Sequence, residues 1–349
     1  MFDIITFGSA TQDIIVKPKN LTILKYGKDE EGSKNISFPV GSKVDIEEME
    51  FYSGGGGTNT AATFALQGLK TAFCGTIGLD VSGQEIINEL KGFKINTGLV
   101  QKTDKKLTNH SIIILNNGKD RTILAYRGAA ELMDAIPFNK IKAKWLYLAP
   151  LSGLLVSPSE ALAKEGATLF EQIVNFAVDK KMKIAVNPGI AQLSLPNFAD
   201  VAKKIDVLIL NEEEASFLTK VPFGQEKATA DGGVPQNAGK IFEKIDEICP
   251  GIAVMTRGSE GAVVSDGKTM YSAVPPRNRN IVDTTGAGDA FGAGFLAELI
   301  RSNDIEKAVQ FGMGNSVGCI SQVGAKHGLL KKGQEFEKVE VKKENIINT

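Results

Sequence analysis

Histidine and cysteine are scarce in this chain, with two and three residues respectively among 349. Cys74, Cys249 and Cys319 are widely spaced and form no C-x-x-C pair, so neither a disulfide framework nor a structural zinc site is indicated. They read as free core thiols. His110 and His327 lie near no Gly-x-Ser-x-Gly elbow and no second metal-ligand candidate, which sets aside Ser-His-Asp hydrolases and histidine-rich metalloenzymes. Long apolar runs are missing too: no uninterrupted window approaches about 18 residues, and the opening MFDIITFG carries an acid where a secretory leader would be basic. It reads as the first strand of a cytosolic protein. The formal net charge is −1, with no sustained basic run outside the tail, so nucleic acid and anionic membrane are not expected as main partners. A Walker-type G-x-x-x-x-G-K-[ST] loop is also lacking.

What is present is a composition able to bury a full core: 42% hydrophobic and 23% charged residues over a length that suits one large α/β domain with appendages or two smaller domains. Short apolar runs FDIITFG, TAFCGTIG, KWLYLAP, KIAVN, DVLIL and GIAVMT predict buried parallel strands, several ending in Gly, Asn or Pro. Helical stretches lie between them. Ser82 to Glu85 and Ser157 to Glu160 fit the Ser-x-x-Glu capping box, the second with Pro158 at the first helical position. The alternation predicts a doubly wound, three-layer α/β/α domain over residues 1–349. Residues 14–52 and 108–127 break the rhythm; the second reads as a hairpin around NNGKD. Together they are expected to form a small β-sheet lid. The charged tail KKGQEFEKVEVKKENIINT is expected to be a terminal helix or strand with frayed ends.

IVDTTGAGDAFGAGF, Ile281 to Phe295, plants acids in a turn made otherwise of backbone. Gly286, Ala287 and Gly288 have little side chain to offer, so their N–H groups and the positive end of a following helix make an anion hole. Asp289, in the first turn of that helix, stands where a general base would take a proton from an attacking hydroxyl. Gly292, Gly294 and Ala297 match G-x-G-x-x-A, but inside the helical run AFGAGFLAELI, which argues against a dinucleotide fingerprint.

DTTGAGDAFGAGF resembles the C-terminal signature of the ribokinase-like, PfkB-type carbohydrate kinases, D-T-x-G-A-G-D-x-F. SGGGGTNTA (Ser53 to Ala61) is similar to the N-terminal Gly-Gly-x-x-x-Asn-x-Ala segment of that family, and GSATQD (Gly8 to Asp13) to its first strand-end motif. NEEEA (Asn211 to Ala215) resembles Asn-x-x-Glu, and TRGSEG (Thr256 to Gly261) the nucleotide-loop motif. These stand in family order from residue 8 to about 328.

The resemblance implies an ATP-dependent kinase acting on a hydroxyl of a sugar or sugar-like small molecule. Asp289 would be the base, and Gly286, Ala287 and Gly288 the anion hole. Asp13, Gly54, Gly55 and Asn59 would bind acceptor hydroxyls, with Arg127 a candidate contact from the lid. Asn211, Thr256, Gly258, Gly261 and Met313 would serve the nucleotide, and Glu214, with Asn211, would orient Mg²⁺ through water. A K⁺ ion beside the anion hole would use Asp283, Thr285, Cys319, Gln322 and Gly324. Gly56 stands where ribokinases proper carry a lysine, and the first lid segment approaches the length seen in adenosine kinases, so a nucleoside kinase stays open as the alternative. A non-catalytic sugar-binding module is the reading of another class, opposed by the intact Asp289 and anion hole. An exposed lid edge is expected to close over substrate or to pair in a homodimer.

Overall fold

The computed structural model describes residues 1–26, 33–115, 121–133, 136–151, 168–223 and 236–346. The capping box expected at Ser157 to Glu160 and the NNGKD turn lie outside them. Six apolar runs become the parallel heart of a nine-stranded sheet, in the spatial order Thr71–Cys74, Phe2–Phe7, Ala143–Leu148, Lys183–Val186, Val207–Asn211, Ile252–Thr256. Three further strands, Ala262–Ser265, Thr269–Ala273 and Lys342–Asn345, continue it antiparallel, so the sheet is mixed. The last of these lies in the charged tail.

Alternate residues of each central strand enter opposite cores, the period-two pattern of a sheet covered on both faces. Ile5, Leu146, Ile184 and Leu208 pack with Phe170, Ile173 and Phe242 on one side. Ile4, Tyr147, Ala185 and Ile209 pack with Phe291, Phe295 and Leu296 on the other. The three cysteines are free and buried. Gly294 explains part of the glycine-rich run: a side chain there would press on Asn315 and Gly312, so the helices Ala287–Ser302 and Ile305–Ile320 pair closely because it is small. Gly292 and Ala297 also lie inside the first of these helices, away from any strand-to-helix turn.

The helix Val81–Gly92 is capped by Asp80, whose carboxylate accepts from Gly83 N at 2.8 Å, and not by the Ser82 to Glu85 box. Asp80 wins because it also accepts from Thr108 N and Thr108 Oγ1, at 2.7 Å each, whereas Ser82 Oγ is turned to His110.

A second sheet has the order Arg121–Tyr126, Asn109–Leu115, Thr11–Pro18, Ile46–Gly54. Its middle pair is parallel and its outer pairs antiparallel. Thr22–Tyr26 and Ser33–Ser37 pair separately. Among the described residues no helix is long and apolar enough to cross a membrane.

Candidate active site

Parallel strands bring their carboxyl ends to one edge of the main sheet, where ligands of such folds bind. Three loops meet there. Named after the roles that the resemblance implies, the acceptor loop is the junction Ser53 to Asn59 between the strand Ile46–Gly54 and the helix Gly56–Leu66. The anion loop is the junction Asp283 to Asp289 that enters the helix Ala287–Ser302, and the support loop is Gly324 to Lys326.

Gly55 (φ 97°) and Gly286 (φ 76°) lie in backbone regions that other residues rarely adopt, and each precedes a helix with no side-chain cap. The first-turn N–H groups of both helices are thereby left without a capping side chain. At Gly286 a Cβ would also collide with Ala325 of the support loop. Asp289 sits one turn into the helix Ala287–Ser302, and Asn59 Nδ2 donates to its Oδ2 at 2.9 Å. Burial raises the Asp289 carboxyl above the ordinary carboxylate range, opposed by the Asn59 bond and by the positive charge of Lys326. Asn59 Oδ1 is buried and has no hydrogen-bond partner among the described residues. Its amide therefore holds the Asp289 carboxylate with one end and offers an acceptor with the other.

Asp13 stands across the acceptor loop, buried, against Gly54, where any side chain would overlap its carboxylate. Burial raises its pKa, opposed by a Ser111 hydrogen bond and by Lys326. A Cβ at Gly56 would lie 3.4 Å from Asp289 Oδ1, so the missing side chain leaves the space before that carboxylate open. Arg127, exposed, lines a neighbouring cavity of about 430 Å³ with Thr11, His110, Ser111, Tyr126 and Leu151.

On the far side of the anion loop a cavity of about 290 Å³ is lined by Thr256, Gly258, Gly261 and Met313 together with Ala287 and Gly288. Asn211, paired in register with Thr256 on the adjacent strand, does not line it. Instead Asn211 and Glu214 form a reciprocal capping box, with Glu214 N donating to Asn211 Oδ1 and Asn211 N to Glu214 Oε2, both at 2.8 Å. Glu214 Oε1 takes no hydrogen bond from described residues. Burial raises the Glu214 carboxyl, opposed by the Asn211 backbone bond. No group of three His, Cys, Asp or Glu able to hold a metal occurs among the described residues. A single carboxylate such as that of Glu214 is nonetheless the sparse donor set that Mg²⁺ accepts, because the ion keeps most of its waters.

Asp283, Thr285, Cys319 and Gly324 gather as the sequence suggested, but with their donors engaged. Asp283 Oδ1 accepts from Thr285 N at 2.9 Å and Thr285 Oγ1 at 2.7 Å, and Oδ2 from Gly324 N at 3.0 Å. Gln322 is exposed and gives its N–H to the Cys319 carbonyl.

Two residues were missed from sequence. Lys326 is buried, and its Nζ donates to Ser53 O at 3.1 Å, Ser53 Oγ at 2.6 Å and Glu89 Oε2 at 3.0 Å, tying the support loop to the acceptor loop. Burial lowers its pKa, opposed by Glu89. The only sequence signal is a lone cation in the small-residue stretch VGAKHG. Arg121, at the start of an edge strand, reaches Asp283 and Thr285. Nothing local marked it above Arg127.

The pfkB family carbohydrate kinase model matches residues 5–332. The chain is 26% identical over 333 residues to a ribokinase of Haemophilus influenzae, spanning 92% of this chain and 99% of that one. To an adenosine kinase of Schizosaccharomyces pombe it is 27% identical over 341 residues, spanning 92% and 94%. The structure of Arabidopsis thaliana ribokinase complexed with ribose and ATP superposes with a TM-score of 0.71 at 21% identity, covering 95% of this chain and 96% of that one. The chain thus belongs to the pfkB family of carbohydrate kinases, phosphotransferases with an alcohol group as acceptor.

Proposed function

We propose that this protein transfers the γ-phosphate of ATP to a hydroxyl of a sugar or sugar-like molecule bound between Asp13 and Asn59, with Asp289 as general base. The observation that carries this reading is Asn59, whose Nδ2 orients the Asp289 carboxylate while its buried Oδ1 waits for a donor. A substrate hydroxyl beside the one being phosphorylated supplies that donor. Asp289 then removes the proton of the attacking hydroxyl, and the N–H groups at Gly286 to Gly288 receive the charge that builds on the transferred phosphoryl. Triphosphate and base lie along the cavity bounded by Thr256, Gly258, Gly261 and Met313. Glu214, with Asn211, would hold Mg²⁺ through water, and the ion would neutralise phosphate charge.

The second sheet is the lid, its Asp13 and Ser111 on the acceptor side and Arg127 at the rim. On its opposite face Phe51, Ile14, Ile112 and Leu124 align across four strands, and three of them are exposed. That apolar row, beside the outer strand Arg121–Tyr126, favours a homodimer through the lid; a strict monomer in concentrated sedimentation runs removes that part of the reading. Free buried thiols favour a cytoplasmic setting.

A nucleoside acceptor is the second reading. It is favoured by the breadth of the about 430 Å³ acceptor-side cavity and by Tyr126 and His110 on its wall. A coupled ADP-release screen over pentoses, hexoses, ketodeoxy acids and nucleosides decides. Turnover is expected with a furanose-type or acyclic sugar. Best activity on a nucleoside selects the second reading, and no turnover with any acceptor overturns both.

A further inference from the structure

Arg121 opens the edge strand Arg121–Tyr126, which has one neighbour in the second sheet, Asn109–Leu115. Its Nη1 donates to Asp283 Oδ1 at 2.8 Å and to Thr285 Oγ1 at 2.6 Å, joining residues 162 and 164 positions apart in sequence. These are the two anion-loop residues that the family resemblance assigns to a monovalent cation. Whether such an ion suits this chain can be read from the donors.

A K⁺ site here would need the Asp283 carboxylate and carbonyl oxygens converging from Thr285 and the support loop. Asp283 Oδ1 already takes three hydrogen bonds, one of them charged, and Oδ2 takes the Gly324 N–H. The carbonyl oxygens of Thr285 and Ala325 do converge, but on the Cys319 thiol, which lies 3.5 Å from each. Burial pushes that thiol up to about 12, so it stays protonated, donates toward these oxygens and is no ligand for a hard cation. A guanidinium carries a full positive charge at any working pH. An added cation on the same carboxylate would meet that charge at close range. The residues therefore do not fit K⁺.

We propose that Arg121 takes the place of the ion: the lid's edge strand supplies the positive charge that holds the anion loop, and turnover needs no monovalent cation. Arg121 is a positioning residue in this role, acting through Asp283 and Thr285 on the conformation of Gly286 to Gly288. Its side chain is 30% exposed and that of Asp283 12%, so the pair is shielded on the loop side and open to water on the other. A cavity of about 180 Å³ lined by Glu48, Glu50, Arg121, Asp283 and Thr285 adjoins it. Truncating the arginine leaves an acid-lined space that a hydrated cation can enter.

The inference rests on the kinase reading above, and the test separates the two. ADP release is measured for wild type, Arg121→Lys and Arg121→Ala in KCl, NaCl and choline chloride at constant ionic strength. Wild type and Arg121→Lys should run at equal rates in the three salts. Arg121→Ala should fall about tenfold in choline, the loss of one charge beside a loop that stabilises anions, and recover in KCl. Several-fold K⁺ activation of wild type overturns the proposal, as does an Arg121→Ala variant that loses nothing or that no salt restores. Thermal unfolding in the same salts reads the cation site without turnover: a rise in Tm in KCl and in NaCl over choline chloride should appear in Arg121→Ala and be absent from wild type. If no acceptor is phosphorylated, the kinase reading fails while the melting curves still decide for or against Arg121, and such a rise in wild type counts against it.

Discussion

Helices in this molecule begin in two ways. Away from the site, Asp80, Thr168 and Asp304 cap the helices Val81–Gly92, Leu169–Asp179 and Ile305–Ile320 with their own side-chain oxygens. At the site, the helices Gly56–Leu66 and Ala287–Ser302 begin after Gly55 and Gly286 with no side-chain cap. A cap satisfies first-turn N–H groups and stabilises the folded chain by about 1 kcal/mol. Forgoing it leaves those groups and the positive end of the helix for a ligand, at some cost to the fold. The three capped helices thus satisfy themselves, whereas the two that open on the candidate site do not. The short helix Phe198–Ala202 also begins without a side-chain cap, so an uncapped start alone does not mark a site. Asn211 stands between the two kinds. Its side chain caps its helix, and the Glu214 carboxylate returns the bond to its N–H with one oxygen, leaving the other without a bond from described residues.

Substitutions can break or sharpen this contrast. The largest effect is expected at the uncapped side: Asp289→Asn should lower kcat by a factor on the order of 10² to 10⁴, the contribution of a positioned base. Nucleotide affinity, measured by calorimetry, should change little, and near-normal turnover would remove Asp289 from its role. Gly286→Ala should follow, with a loss of about 10² in kcat, because a Cβ at φ 76° meets Ala325 and pushes the anion loop off its conformation. If the variant turns over normally, the loop does not receive phosphate there.

A smaller, qualitative change is expected from the support loop. A base must be ionised to act, so kcat/KM should fall as pH falls through the Asp289 pKa, and burial places that limb above the ordinary carboxylate range. Lys326 opposes the rise at both Asp289 and Asp13. Lys326→Met should therefore move the acid limb to higher pH while the plateau survives; an unmoved limb would show that the lysine serves packing alone. The smallest effect belongs to the capped side. Asp304→Ala should reduce stability by about 1 kcal/mol in denaturant unfolding and leave kcat unchanged. A loss of activity there would mean that the two classes of helix start are not separable.

Legibility from sequence followed the same division. The six parallel strands could be read because they are short apolar runs, several of them closed by a breaker, and the turn Asp283 to Asp289 before a helix because its glycines and acids stand within one stretch. What escaped was long-range. Lys326 is buried only because Ser53, 273 positions away, and Glu89, 237 away, turn toward it, and no local pattern marks a lysine as buried. Arg121 and Arg127 stand at opposite ends of one strand and differ by what the fold sets beside them: Arg121 meets Asp283 and Thr285, whereas Arg127 lines a cavity. Asp80 displaced the Ser82 box because Thr108, 28 positions on, needed the same carboxylate. The cation reading meets the same difficulty on the proposal above: Asp283 and Thr285 stand together, and Arg121, which reaches both, comes from another sheet.

On the roles proposed above, that arginine would make the two halves of the reaction interdependent before any chemistry occurs. Arg121 belongs to the second sheet and bonds to Asp283 and Thr285 of the anion loop. An acceptor that favours the docked sheet also favours the loop conformation that holds phosphate, and reciprocity requires nucleotide to favour the docked sheet by the same factor. On the proposed roles, each substrate would then tighten the other beyond their direct contact at the transferred phosphoryl group.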